Sequence, residues 1–189
     1  MYELCVPDAG RLKSYTDVPY RMRLITSVTA CALALLLAAC ASSDPKPHEP
    51  LRLDLTVSAA TTVNPDDQGR AAPIVVRIYE LKTDNAFKAA DYFSLHDTDK
   101  TVLADDLVKR DEFLLRPGEH QTIRRNADAS TTTLGVLAEY RDLPHTVWRT
   151  AYVLPATPEK AWYRFSSPKL NLTINLDAGA IRITDNTQK

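Results

Sequence analysis

From Leu51 to Ser58 the chain alternates with a period of two: Leu51, Leu53, Leu55 and Val57 are apolar, and Arg52, Asp54, Thr56 and Ser58 are polar. That alternation predicts a strand with one face buried. "IVVRIYEL" (Ile74–Leu81) is β-branched and aromatic and predicts a second strand. "DEFLLRPGEHQTIRR" (Asp111–Arg125) predicts two more around Pro117-Gly118, a pair suited to a type II turn because proline presets φ and glycine accepts φ > 0. Four further short β-rich segments follow, "TLGVLAEYRD", "TVWRTAYVL", "LNLTINLD" and "AIRIT". Between the second and third strands, Asp84 is placed to cap a helix carrying Phe87, Ala90, Tyr92 and Phe93, and "VLADDLV" (Val102–Val108) predicts another short helical turn. About eight strands with one helical excursion predict an all-β sandwich spanning residues 51–189.

Upstream the pattern changes. "RLITSVTACALALLLAACASS" (Arg23–Ser43) holds an uncharged apolar run from Leu24 to Ala39, with Arg21 and Arg23 before it and small residues at its end. It is shorter than the roughly 20 residues that cross a bilayer, and its flanks are those of a secretory signal. Leu37-Ala38-Ala39-Cys40 resembles the bacterial lipobox, which implies cleavage before Cys40 and a triacylated cysteine. Ala41 stands where aspartate would be the inner-membrane retention signal, so the resemblance implies the outer membrane, periplasmic face. Residues 1–21 are too long and too acidic for the start of such a signal, and Met22 is the expected start. Residues 1–39 are therefore expected to be removed. Residues 40–50, with "ASSDPKPHEP" after the cysteine, are expected to form a lipidated tether. A proline-rich stretch of that length reaches roughly 30 Å or less at about 3.1 Å per residue.

Composition then excludes several classes. Of 23 basic and 24 acidic residues, four and three fall within residues 1–39, leaving 19 and 21 and a net charge of −2. No basic run points to nucleic acid. Cys5 and Cys31 leave with the signal, so no disulfide is available and the core holds the fold alone. His48, His96, His120 and His145 are isolated from one another and no second cysteine accompanies them, so no metal set is expected. No G-x-S-x-G surrounds a serine, and Ser166-Ser167 precedes Pro168 in a loop-like stretch. Asp66-Asp67 and Asp105-Asp106 are adjacent pairs whose side chains point apart, which suits solvated positions better than general acid–base work. Five glycines form no phosphate-cradling loop. Asn171-Leu172-Thr173 matches a glycosylation acceptor, a match with little meaning in a bacterial lipoprotein. Trp148 is expected to plug the core, and Trp162, beside Tyr163 and Phe165, is a minor candidate for partner contact.

The connection between the first two strands, "AATTVNPDDQGRAAP" (Ala59–Pro73), stands out. Connections longer than about 12 residues are uncommon and tend to be functional or disordered. Asn64-Pro65 favours a turn, and Asp66-Asp67-Gln68-Gly69-Arg70 forms a mixed-charge tip, so this loop is the candidate recognition element; a floppy hairpin end is the alternative.

Taken in order, the lipobox, "NPDDQGRAAPIVVRIYELK", "FKAADYFSL", "LADDLVKRDEFLLRPGE", "LGVLAEYRDL" and the strand with Trp148-Arg149 resemble the type VI secretion lipoprotein family TssJ. The resemblance implies a transthyretin-like sandwich with a helical insertion, no enzymatic activity and no cofactor. It implies an outer-membrane anchor for the secretion complex whose partner is the periplasmic C-terminal domain of the inner-membrane subunit TssM. It further implies that Asn64, Pro65, Asp66, Asp67, Gln68, Gly69 and Arg70 carry that contact. The alternatives are another periplasmic sandwich lipoprotein, a pilotin-like assembly factor or a small-ligand carrier, and an enzyme built around His145 with acidic neighbours.

Overall fold

Alternation along β1 (Arg52–Ala59) turns Leu53, Leu55, Val57 and Ala59 inward, and β7 (Lys169–Leu176) repeats the same buried pattern beside it. The computed structural model describes residues 48–160 and 167–187. β1 and β7 pair in parallel at the centre of one sheet, flanked by β4 (His120–Asn126) and β8 (Ile181–Asp185), in the order β4-β1-β7-β8. The facing sheet has the order β3-β2-β5-β6, from β3 (Leu107–Leu115), β2 (Ile74–Leu81), β5 (Thr133–Ala138) and β6 (Arg149–Val153). The result is the eight-stranded transthyretin-like sandwich.

β2 and β5 are buried on both faces, which is why they read as nearly continuous apolar runs. Ile74, Val76 and Ile78 meet the interior with Leu53, Leu55 and Leu172. Tyr79, Leu81 and Leu137 meet Phe87, Leu95 and Leu103 of a helical insertion formed by α1 (Asn85–Ala89) and α2 (Tyr92–Leu103). Trp148 is half-buried where both clusters meet, edge-on to Tyr92 at 5.3 Å, with the Arg149 guanidinium 4.7 Å over its ring. It closes the side of the core rather than filling its centre.

Two local expectations change. Asp84 precedes α1 without a side-chain cap bond and pairs with Lys88 at 2.6 Å instead. The capping residue is Asp91, which accepts from the Ser94 N–H at 3.0 Å at the start of α2. The short helical turn expected within Val102–Val108 forms as a 3-10 turn at Ala104–Asp106 directly after α2 ends at Leu103, but β3 begins at Leu107, four residues before its expected start. The Pro117-Gly118 turn forms as predicted, with Gly118 at φ 81° and Glu119 N–H donating to Arg116 O at 2.9 Å. It joins strands of different sheets, so it is an arch over the sandwich edge and not a hairpin.

Under the helices lie charges whose partners are distant in sequence. Arg77 donates to Glu112 at 2.8 Å and to the carbonyls of Leu95 and His96 at 3.1 and 2.8 Å. Asp99 accepts from the Tyr79 hydroxyl at 3.0 Å and from Arg110 at 2.7 Å. Burial pushes the Asp99 carboxyl up, but the Arg110 and Tyr79 bonds outweigh it and hold it below the usual carboxylate range. Its folded-state value is thus lower than in the unfolded chain, so its contribution is complete above about pH 4 and fades as pH falls further. Asp99→Asn is therefore expected to flatten the loss of stability as pH falls below about 4, read by urea unfolding across the acid range. An unchanged slope would show that Asp99 is not a source of it.

Candidate functional site

The loop of residues 60–73 starts where β1 ends and enters β2 in the opposite sheet, so it crosses one end of the sandwich. It is built, not slack. Ala60 N–H donates to Leu176 O at 2.9 Å, Val63 is fully buried, and Ala72 N–H returns to Val63 O at 3.1 Å. Asn64 sits in the left-handed region at φ 49°, a conformation its short polar side chain tolerates. Its amide donates to Pro73 O at 2.9 Å and accepts from the Arg141 N–H at 2.8 Å. At 4% exposure Asn64 sets the loop's shape and offers little surface.

Asp66 organises the tip. One carboxylate oxygen accepts from the Gln68 and Arg70 N–H groups at 3.0 and 2.9 Å, and the other from Arg70 Nε at 2.8 Å. The Arg70 side chain, followed by these backbone donors, draws the Asp66 carboxyl below its ordinary range. Gly69, at φ 74°, supplies the positive φ that closes the turn, with its N–H on Asp66 O at 2.8 Å. Asp67, Gln68, Gly69 and Arg70 remain exposed, Pro65 and Asp66 partly so.

Two other connections come alongside. Residues 140–146, between β5 and β6, and Ala178-Gly179, between β7 and β8, share with Asn64–Asp67 an open groove of about 740 Å³. Tyr140 donates its hydroxyl to Asp177 O at 3.1 Å, and His145 contacts Asp142 at 2.7 Å in and beside a 3-10 turn containing Pro144. This second wall was not foreseen. In sequence it read as the ragged end of a strand plus an isolated histidine, with Pro144 the one turn signal inside it.

The remaining candidates scatter. His48 contacts Thr157 O at 2.7 Å and Glu49 N–H donates to Pro158 O at 3.0 Å, so the last residues of the expected tether dock on the domain. His96 lies against Asp97, His120 opens β4, and Asp105-Asp106 occupy the 3-10 turn before β3. Cys40, Trp162, Tyr163, Phe165 and Ser166 lie outside the described residues. Among the described residues no group of histidine, cysteine and carboxylates is placed to hold a metal ion.

A hydrogen-bonded, charged loop cluster at one end of a sandwich is a surface suited to binding another protein. Residues 51–179 match the family model described as type VI secretion lipoprotein, VasD, EvfM, TssJ. The chain is 42% identical to the type VI secretion lipoprotein TssJ1 of Pseudomonas aeruginosa, over 72% of this chain and 97% of that one, with a TM-score of 0.64. It is 31% identical to Lip of Serratia marcescens, a membrane-bound component of the type VI secretion system, over 70% and 96%, again with a TM-score of 0.64. A chain of a structure described as a type VI membrane complex shares the fold at 24% identity, over 73% and 99%, with a TM-score of 0.58. No curated protein sequence matches. The chain belongs to the TssJ family of type VI secretion lipoproteins. It is an outer-membrane lipoprotein of that system's membrane complex, lipid-anchored on the periplasmic side, and not an enzyme.

Proposed function

We propose that this lipoprotein binds the periplasmic C-terminal domain of a TssM-like inner-membrane subunit through Asn64–Arg70, with the lipid on Cys40 holding it in the outer membrane after residues 1–39 are removed. The observation that carries this reading is the loop's place and build. β1 runs from the end where the tether joins, at residues 48–51, to the end where the loop projects. Eight residues at about 3.3 Å each separate those ends by roughly 25 Å. A partner spanning the periplasm then meets the end of the sandwich opposite residues 48–51. Asp66 and Asn64 fix the loop before any partner arrives, which reduces the ordering cost of binding.

Replacing Asn64–Arg70 with a short Gly/Ser turn is expected to weaken binding of the TssM-type domain by roughly thirtyfold or more, the effect of losing one or more hot-spot residues. Calorimetry on the detergent-solubilised lipoprotein reads this, with a thermal melt confirming that the sandwich persists. Unaltered affinity in the folded variant would move the interface elsewhere. No binding by the unaltered protein would favour a different assembly role within the envelope.

A further inference from the structure

A seven-residue tip is too small to be a whole interface. Stable protein pairs bury about 800 Å² per partner, drawn from roughly 20 to 30 residues a side. Whatever binds Asn64–Arg70 must therefore cover neighbouring surface, and the groove of about 740 Å³ is continuous with that tip. Its two walls are tied together by the bond from the Arg141 N–H to Asn64, so they form one fixed shape.

The charges at this end sort into two kinds. Asp66 pairs with Arg70 at 2.7 Å and Asp177 with Arg182 at 2.5 Å, and Asp142 contacts the His145 ring at 2.7 Å, an ion pair only when that ring is protonated. Among the described residues the side chains of Asp67 and Arg141 make no hydrogen bond or ion pair, and both are exposed and line the groove; the Arg141 charge also helps to hold the neighbouring Asp66 carboxyl low. One anion stands on the β1–β2 wall and one cation on the β5–β6 wall.

We infer that this groove receives a segment of the periplasmic partner domain bearing a basic and an acidic side chain close together, with Asp67 reading the basic one and Arg141 the acidic one. The inference rests on the reading that Asn64–Arg70 contacts that domain, and it assigns the β5–β6 connection to the same interface. Opposite charges on two walls fix the register of an incoming segment, because a shifted segment places like charges together.

The test compares four forms of the solubilised lipoprotein by calorimetry against the TssM-type periplasmic domain: Asp67→Lys, Arg141→Glu, Arg124→Glu and the Gly/Ser loop replacement. Arg124 lies on β4, exposed, 3.3 Å from Asp54 and outside the groove, so Arg124→Glu controls for the change in net charge that Arg141→Glu makes. Asp67→Lys and Arg141→Glu are each expected to weaken binding about tenfold or more, with Arg124→Glu within twofold of the unaltered protein. If the loop replacement abolishes binding while Arg141→Glu behaves like Arg124→Glu, the groove is overturned and the loop contact stands. If the loop replacement binds normally, or the unaltered protein does not bind, the loop reading falls and the groove inference with it.

Discussion

Glu80→Ala is expected to lower the thermal unfolding midpoint by roughly 10 °C, from a loss of about 3 kcal/mol for breaking a buried ion pair, at a few degrees per kcal/mol in a domain of this size. Glu80 is 1% exposed, near the end of the sandwich where residues 48–51 join. It accepts from Arg125 Nε at 2.6 Å, from the Asp128 N–H at 3.2 Å and from the Thr131 hydroxyl at 3.1 Å. Arg125 also meets Asp111 at 2.5 Å, so one carboxylate joins β2, β4 and the connection into β5, while its cation reaches β3. Removing Glu80 leaves the guanidinium with Asp111 alone, strands a backbone donor and a hydroxyl, and opens a hole. Each of these adds to the cost. Glu80→Gln keeps the shape and one acceptor, and its midpoint is expected between those of the parent and Glu80→Ala. A shift under about 2 °C for Glu80→Ala would mean that water already serves these groups.

That network also marks where sequence reading stops. Strands were legible wherever one face met water: the alternation of Leu51 to Val57 reappears as the buried pattern of β1. β2 and β5 were legible as strands but not as the inner layer of three, because only the position of α1 and α2 explains why both their faces are apolar. The division into sheets was hidden as well. Pro117-Gly118 specifies a turn, and nothing local says that its two strands part into different sheets. Glu80 and Arg125 are 45 residues apart, and Asn64 and Arg141 are 77 apart. Pairings of that separation leave no periodic trace, so buried Arg77, Glu80 and Asp99 looked like ordinary charged positions. For the same reason the β1–β2 half of the loop cluster was readable from its length and turn residues, whereas the β5–β6 half was supplied by tertiary contact alone.

Cys40→Ser is expected to move the protein entirely from the membrane fraction to the soluble periplasmic fraction, with its unfolding midpoint unchanged. A single fatty chain gives only marginal, reversible membrane binding, at about 0.8 kcal/mol per buried methylene, and a second or third chain makes anchoring stable. On the proposal that Cys40 carries the lipid, loss of the thiol removes all chains at once, so the change is all-or-none rather than graded. The sandwich holds its own core from Leu51 onward, so its fold does not depend on the lipid, and on the proposed loop contact its partner affinity does not either. The detached domain would therefore occupy TssM-type partners without linking them to the outer membrane, and secretion would stall more severely than in a strain carrying half the normal amount of lipidated protein. Fractionation, a melt of the purified variant and a secretion assay read these three consequences separately. A Cys40→Ser protein that stayed in membranes, or a strain that secreted normally, would mean that something other than the lipid holds this end of the complex.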